Sequence, residues 1–150
     1  MLPLSHYEQA RRDAEFHVQV KIRHVQSNVA TPGQARVDAE VIRIFRGQHA
    51  LKLGDAVRFV VSVLTGNENF KDVPFGGTIW TNYNDLQAAK YLEVFLDGLP
   101  PECAVALWQL VIIDSPSALA HQDCMPPVTR KIRSGLLSFM RRLFFTKCSE

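Results

Sequence analysis

The chain of 150 residues has a net charge of +2, with 47% hydrophobic and 21% charged residues. This composition excludes wholesale disorder and fits one soluble globular domain. The charge is uneven: residues 126–150 hold six basic groups against one acidic group, whereas the preceding residues hold 11 basic and 14 acidic groups. Three cysteines are too few for a disulfide framework, and no run of about 18 apolar residues predicts a membrane-spanning helix.

The amino-terminal part of the chain predicts one short helix followed by a strand. A helical pattern begins at Ser5, a capping residue with Glu8 three positions on. In residues 16–23 apolar and polar residues alternate, as on a strand with one buried face. The histidines of this region and the next are isolated in the sequence, and we expect them on the surface. They are His6, His17, His24 and His49.

Residues 36–47 read RVDAEVIRIFRG, and their apolar face changes halfway along. Apolar residues stand at alternate positions up to Val41, and then Ile42 and Ile44 take over one residue out of phase. A β-bulge near Val41 and Ile42 would produce this slip and would bend the strand, as closure of a small barrel requires. The alternative is a strand buried on both faces, in which alternation carries no information.

Three further strands are predicted downstream, two alternating and one continuously apolar. They are residues 57–63, 91–97 and 105–113. The last is typical of a central strand covered on both faces. Residues 86–90 predict a helical turn. Residues 65–84 are rich in Gly and Asn and have little periodicity, which is typical of a functional loop or an irregular excursion.

In residues 126–150 apolar residues recur at helical spacing and form one stripe, and basic residues occupy much of the rest of the predicted helix. The stripe consists of Ile132, Leu136, Phe139, Met140, Leu143 and Phe144. We expect this helix to pack on the rest of the protein, covering an end or an edge strand. A basic amphipathic helix could also fill a partner's groove or lie in an anionic membrane interface, so these alternatives stay open.

Five strands with a long break after the third predict a mainly β fold with flanking helices. A sandwich usually needs about seven strands, so we expect a five-stranded OB-type antiparallel barrel with a short amino-terminal helix and an amphipathic carboxy-terminal helix. Residues 1–125 then form the barrel domain with its amino-terminal helix. Residues 126–150 form the basic helix.

The order of these segments resembles the netrin-like module, the OB-type domain shared with tissue inhibitors of metalloproteinases. The stretches that carry the resemblance are VDAEVIRIFRG, LKLGDAVRFVV and AAKYLEVFLDG, within residues 16–113. The resemblance implies a barrel with terminal helices packed on it. Those inhibitors use an amino-terminal cysteine as a zinc-binding wedge, but this chain has no cysteine before Cys103. The resemblance therefore does not imply protease inhibition.

No catalytic, cofactor or metal motif stands out, so we do not expect an enzyme or a bound cofactor. The loop His121-Gln122-Asp123-Cys124 offers up to three metal ligands, yet no second cluster stands at a recognised spacing. The amino terminus lacks the layout of a signal peptide. The sequence as it stands predicts a cytoplasmic protein, or an exported one if its true start lies upstream.

The sequence favours a non-catalytic binding module that contacts a protein partner or a second copy of itself. The expected contact residues lie in the aromatic loop and the carboxy-terminal helix: Phe75, Trp80, Tyr83, Arg130, Arg133, Phe139, Arg141, Arg142 and Phe144. The loop aromatics could instead tuck under the loop and plug the barrel end.

Two alternative functions remain. One is a membrane-peripheral protein held by residues 129–145. The other is an oligonucleotide-binding barrel, which is less expected for two reasons. The first strand carries no aromatic residue among its polar positions, and Asp38 and Glu40 would repel phosphate.

Overall fold

The computed structural model describes residues 3–27, 33–66 and 79–120. Contacts divide the chain into two units, Met1–Ser117 and Ala118–Glu150. The elements named below all belong to the first unit. The predicted carboxy-terminal helix lies outside the described residues.

Two short helices and six strands make up the described part of the chain. In chain order they are α1 (Leu4–Asp13), β1 (Phe16–Ser27), β2 (Gly33–Arg46), β3 (Ala56–Leu64), β4 (Thr81–Asn82), α2 (Tyr83–Ala88), β5 (Tyr91–Asp97) and β6 (Ala104–Ile113). The mainly β class is confirmed. The strand count differs from the expected five because the two-residue β4 pairs in parallel with β3.

The six strands form one sheet in the order β4-β3-β2-β1-β5-β6. β1 is central, pairing in antiparallel fashion with β2 on one side and β5 on the other. The sheet curls until β3 meets the chain that enters β6. There the backbone N–H of Arg58 donates to the carbonyl of Pro101 at 2.6 Å, and the N–H of Cys103 donates to the carbonyl of Arg58 at 2.8 Å. The result is a barrel-like half-closed sheet.

The bulge expected near Val41 and Ile42 is confirmed. Gln19 and Val20 are consecutive on β1, yet their partners on β2 are Arg43 and Val41. Ile42 is therefore the extra residue that opposes no single partner. The register shifts twice more along this pair of strands, between His17 and Val18 and between Ile22 and His24. Repeated bulges increase local twist and bend, which is how long strands wrap around one interior.

The bulge explains why the apolar face of β2 changes. Before it, Val37, Ala39 and Val41 are buried in the interior of the curled sheet. After it, Ile44 packs against the same core. Both halves of β2 thus serve one interior, although their apolar residues are out of phase in the sequence.

The interior of the curled sheet is filled by aliphatic side chains and two phenylalanines. Its fully or almost fully buried members are Phe16, Val18, Val20, Ala35, Val37, Ala39, Val41, Leu51, Val57, Phe59, Val61, Val63, Leu86, Leu92, Val94 and Leu96. Leu86 comes from α2 and joins this cluster. Each large apolar side chain of this kind contributes about 1.5–3 kcal/mol on burial.

The prediction that residues 105–113 form a central strand is wrong. Within the described residues β6 is an edge strand that pairs with β5 alone. Val105 pairs with Leu96, and Leu110 with Val94, so four residues of β6 oppose one residue of β5. Within this bulge Leu107 and Trp108 have positive φ angles of 41° and 58°. Hydrophobicity alone does not distinguish such a bulged edge strand from a central one.

The helices differ from expectation at their starts. Pro3 is the N-cap of α1, with no side-chain cap hydrogen bond, so Ser5 does not cap the helix as expected. The helical turn predicted at residues 86–90 begins earlier, at Tyr83. Its N-cap is Asn82, whose side-chain oxygen accepts hydrogen bonds from two backbone N–H groups of the first turn.

Arg46 fixes the end of α1 to the end of β2. Its guanidinium donates to the backbone carbonyl of Arg12 at 2.6 Å and to that of Arg11. These carbonyls belong to the last turn of the helix, where intrahelical partners run out. A cation there also interacts favourably with the helix dipole.

Replacing Gly47 tests the packing at the end of β2. Gly47 has φ of +96°, and an added Cβ would lie 2.2 Å from Cδ1 of Phe16. Gly54 has φ of +91° but open space around the same position. We expect Gly54→Ala to lower the free energy of unfolding by about 1 kcal/mol through backbone strain alone.

The same change at Gly47 should cost about 3 kcal/mol, because overpacking against Phe16 adds to the strain. Urea unfolding followed by tryptophan fluorescence measures both variants. Equal destabilisation of the two would contradict the close approach of Gly47 to Phe16.

Candidate functional site

Two of the nine expected contact residues fall within the described part of the chain. Trp80 is half-buried and stands directly before β4. Tyr83 packs against the barrel core, and its hydroxyl accepts a hydrogen bond from Nε2 of Gln87 at 2.7 Å. The other seven lie outside the described residues: Phe75, Arg130, Arg133, Phe139, Arg141, Arg142 and Phe144.

Two neighbouring connections form one end of the barrel. β2 and β5 both run antiparallel to β1, so both end where β1 begins. The connections at residues 47–55 and 98–103 therefore lie at the same end. Each exposes one leucine: Leu53 is 68% exposed and Leu99 is 83% exposed. We call this surface the loop end.

A shallow groove opens beside the loop end. It is lined by Ile42, Arg43, Ile44, Gln48 and Leu53, and we call it the β2 groove. It forms because β3 separates from β2 after Val41. The last backbone hydrogen bonds there join Val41 N–H to the carbonyl of Asp55 at 2.9 Å and Gly54 N–H to the carbonyl of Val41 at 2.8 Å.

Two arginines on the outside of β1, β2 and β3 form ion pairs with carboxylates there. The guanidinium of Arg58 binds the carboxylates of Asp38 and Glu102, and that of Arg23 binds Glu40. The hydrogen bonds from Arg58 to Asp38 and to Glu102, with the charges of both carboxylates, raise the pKa of its guanidinium. These pairs are partly exposed, so each contributes little to stability, but they offset part of the charge on this face.

A buried polar cluster lies on the other part of the outer face, across β1 and β5. Glu93 is fully buried, and its two carboxylate oxygens contact Nε2 of His17 at 3.0 Å and Nε2 of Gln19 at 2.9 Å. The prediction that His17 lies on the surface is wrong, whereas His6, His24 and His49 are exposed as expected. Cross-strand register causes the difference, because His17 and Gln19 stand opposite β5 beside Glu93.

Aromatic rings and a backbone segment cover this cluster. The ring of His17 stacks on Phe95 with centroids 4.0 Å apart and lies 4.7 Å from the ring of Phe45. Ser117 covers Gln19: its backbone N–H donates to Oε1 of Gln19 at 3.0 Å, and its hydroxyl accepts from Nε2 of Gln19 at 3.3 Å. Hydrogen bonding of this kind makes burial of polar groups tolerable. The cluster therefore organises the outer face as a packed layer.

The sequence did not predict the burial of Glu93 and Gln19, because polar residues at alternate strand positions normally face water. The one available signal was the pairing of His-x-Gln on the first strand with a glutamate on a later strand. That signal becomes visible only when the register between two distant strands is known.

Possible metal ligands are scattered over the described part of the chain. In residues 3–27, 33–66 and 79–120, no three side chains of His, Cys, Asp or Glu gather closely enough to hold an ion. The loop of His121, Asp123 and Cys124 lies outside these ranges. Neither of the helices that the structure describes is long and apolar enough to cross a bilayer.

Replacing Glu93 tests whether the cluster holds the outer face together. Glu93→Ala leaves Gln19 and His17 without their buried acceptor, and we expect unfolding free energy to fall by about 3 kcal/mol. Glu102→Ala is the control, because its carboxylate is exposed and its removal should change stability little. Chemical denaturation compares the two. A Glu93→Ala protein as stable as the control would show that the cluster contributes no net stability.

Cys103 offers a second test, through its reactivity. Burial, followed by the negative charges of Glu102, Glu15 and Asp97, raises the pKa of its thiol to about 11. The thiol therefore stays protonated at neutral pH, and the reactive thiolate forms only as the pH rises toward 11. We expect alkylation of Cys103 by iodoacetamide at pH 8 to be about a hundredfold slower than that of an unstructured cysteine peptide.

Mass spectrometry of the peptide that contains Cys103 separates its alkylation from that of Cys124 and Cys148. The rate should rise about tenfold per pH unit between pH 7 and 9. Glu102→Gln should increase the rate, because it removes one negative charge near the thiol. A rate that levels off below pH 9 would contradict the raised pKa.

Comparison of the sequence with models of protein families and with curated proteins gives no match.

Proposed function

We propose that this chain is a non-catalytic binding module, an OB-type barrel that contacts a protein partner. The observation that carries the proposal is the loop end, where Leu53 and Leu99 are exposed on neighbouring turns. Exposed apolar side chains on adjacent turns have a cost in water that a partner surface would remove. Loops held by a rigid sheet are also the usual place for recognition.

The order of the long strands supports an OB-type barrel. β1 lies between β2 and β5, with β3 and β6 beyond them. β3 meets the chain entering β6 through a parallel bridge between Arg58 and Glu102, and α2 stands between β3 and β5. A five-stranded, partly open barrel with a helix after its third long strand fits this arrangement. We propose the relation to the netrin-like module on these grounds together with the three sequence stretches.

The outer face of β2 and β3 favours a protein partner over an oligonucleotide. The alternating outward positions of these strands carry Gln34, Arg36, Asp38, Glu40, Arg58, Val60 and Ser62. Single-stranded nucleic acid binding usually combines stacked aromatic rings with unpaired basic groups. These described positions hold no aromatic ring, and Arg58 is paired with two carboxylates.

The aromatic loop and the carboxy-terminal helix remain part of the proposed contact. Trp80 precedes β4, which pairs with Val63 and Leu64 at the end of β3 farthest from the loop end. Phe75 and Trp80 would act as separate anchors, and the basic helix of residues 129–145 would add charge. Attachment of that helix to an anionic membrane is the alternative use of the same residues. Self-association through either region is a further form of the protein contact.

Affinity capture with loop-end variants tests the proposal. The tagged protein and Leu4→Asp, a change at an exposed leucine of α1, should retain the same partner. The double variant Leu53→Asp, Leu99→Asp should capture about one tenth of that amount of partner or less, because carboxylates would enter an apolar contact. Quantitative mass spectrometry of the captured proteins gives the ratios.

Equal recovery by the double variant and the wild type would contradict the proposed contact. A change in the fluorescence of Trp80 and Trp108 on addition of single-stranded DNA at low salt would favour the oligonucleotide alternative instead. Circular dichroism of each variant checks that the fold is retained.

A further inference from the structure

We propose that the β2 groove binds an extended segment of a protein partner, which adds a strand to the open edge of β2 and places a carboxylate on Arg43. This inference rests on the proposed function and specifies its partner. The segment would run alongside residues 43–46, beyond the point where β3 separates. The loop-end residue Leu53 forms one wall of the groove.

The backbone of β2 provides the first reason. Up to Glu40, β2 pairs with β1 on one side and with β3 on the other. From Arg43 to Arg46 its described pairing is with β1 alone, and it is interrupted by a further bulge at Phe45. An open strand edge is a ready template for another strand, because its outward N–H and C=O groups can pair with an extended chain.

The side chains that line the groove provide the second reason. Ile42 and Ile44 are half-buried and Leu53 is largely exposed, so the walls are mainly apolar. An added strand would place alternate side chains against them. Main-chain hydrogen bonds then give affinity, and the apolar walls give preference for aliphatic residues at those positions.

Arg43 determines the charge of the expected segment. Its Nε is buried and has no hydrogen-bond acceptor within the described part of the chain. Glu93 stands in the same cross-strand row as Arg43, one strand beyond Gln19, and is engaged by His17 and Gln19. Glu40 and Asp38 farther along β2 are engaged by Arg23 and Arg58. A buried guanidinium nitrogen without an acceptor is costly, and a carboxylate is the acceptor that fits a guanidinium best.

The same residue argues against a second copy of this chain as the occupant. Two copies of β2 that paired in antiparallel fashion about residues 43–46 would set Arg43 of one copy opposite Arg46 of the other. Like charges directly opposite each other destabilise a strand pair. A heterologous, acidic segment avoids this repulsion.

Two short peptides test the inference on the full chain. The probe is acetyl-Leu-Val-Glu-Val-Leu-amide, and its control carries Gln in place of Glu. Titration followed by ¹H–¹⁵N NMR should shift the amides of residues 42–46, Gln48 and Leu53. The Glu peptide should bind about tenfold more tightly than the Gln peptide, the effect of one charge-assisted hydrogen bond.

Two arginine variants complete the design. Arg43→Gln should make the two peptides bind equally, whereas Arg36→Gln, a change at an exposed arginine elsewhere on β2, should keep the tenfold difference. Equal binding of both peptides to the wild type, or shifts confined to residues outside the groove, would overturn the inference. So would dimerisation of the free protein that Arg43→Glu strengthens, because a second copy would then be the occupant.

The outcomes also separate this inference from the proposed function. One pair of results would overturn this inference alone: the Leu53→Asp, Leu99→Asp variant loses its captured partner, while the peptides leave the groove amides of the wild type unshifted. Selective binding of the Glu peptide by a protein that captures no partner would support the groove chemistry and overturn the proposed function.

Discussion

The fold depends on one added residue in β2. Ile42 has no single partner on β1, so the strand changes which face it turns to the interior. Val41 and Ile44 consequently pack against the same core although three positions separate them. Without the bulge, a strand of 14 residues would turn its second half outward and the sheet would stay open. With it, the sheet bends far enough for Arg58 to meet the chain that enters β6.

The outer face of the sheet uses similar chemistry in two different environments. Across β2 and β3, Arg58 and its carboxylates are partly exposed, so water screens their attraction and the pairs mainly neutralise charge. Across β1 and β5, Glu93 is fully buried, and each hydrogen bond to it replaces one that water would have made. The first region can face solvent, whereas the second can exist only as a packed layer.

The bulge and the open edge of β2 both lie at the end of the barrel where β2 leaves β3. The bulge in β2 and the opening of its edge stand next to each other, because the pairing with β3 ends at Val41. The groove beside Arg43 therefore lies directly beyond the bulge, and the exposed Leu53 forms one of its walls. The bulge that bends the sheet therefore lies beside the surface on which we propose that a partner binds.

The sequence alone determined the local features: the five long strands, the bulge, the turn at Gly54 and the end of β2 at Gly47. Each depends on residues close together in the chain, where period and turn chemistry are visible. The tertiary structure decided the rest. The edge position of β6, the burial of His17 with Glu93 and the exposed leucines at one end depend on which distant strands pair and in which register. A contact between residues 76 positions apart leaves no local pattern, because an alternating polar residue has the same sequence signature whether water or a buried glutamate faces it.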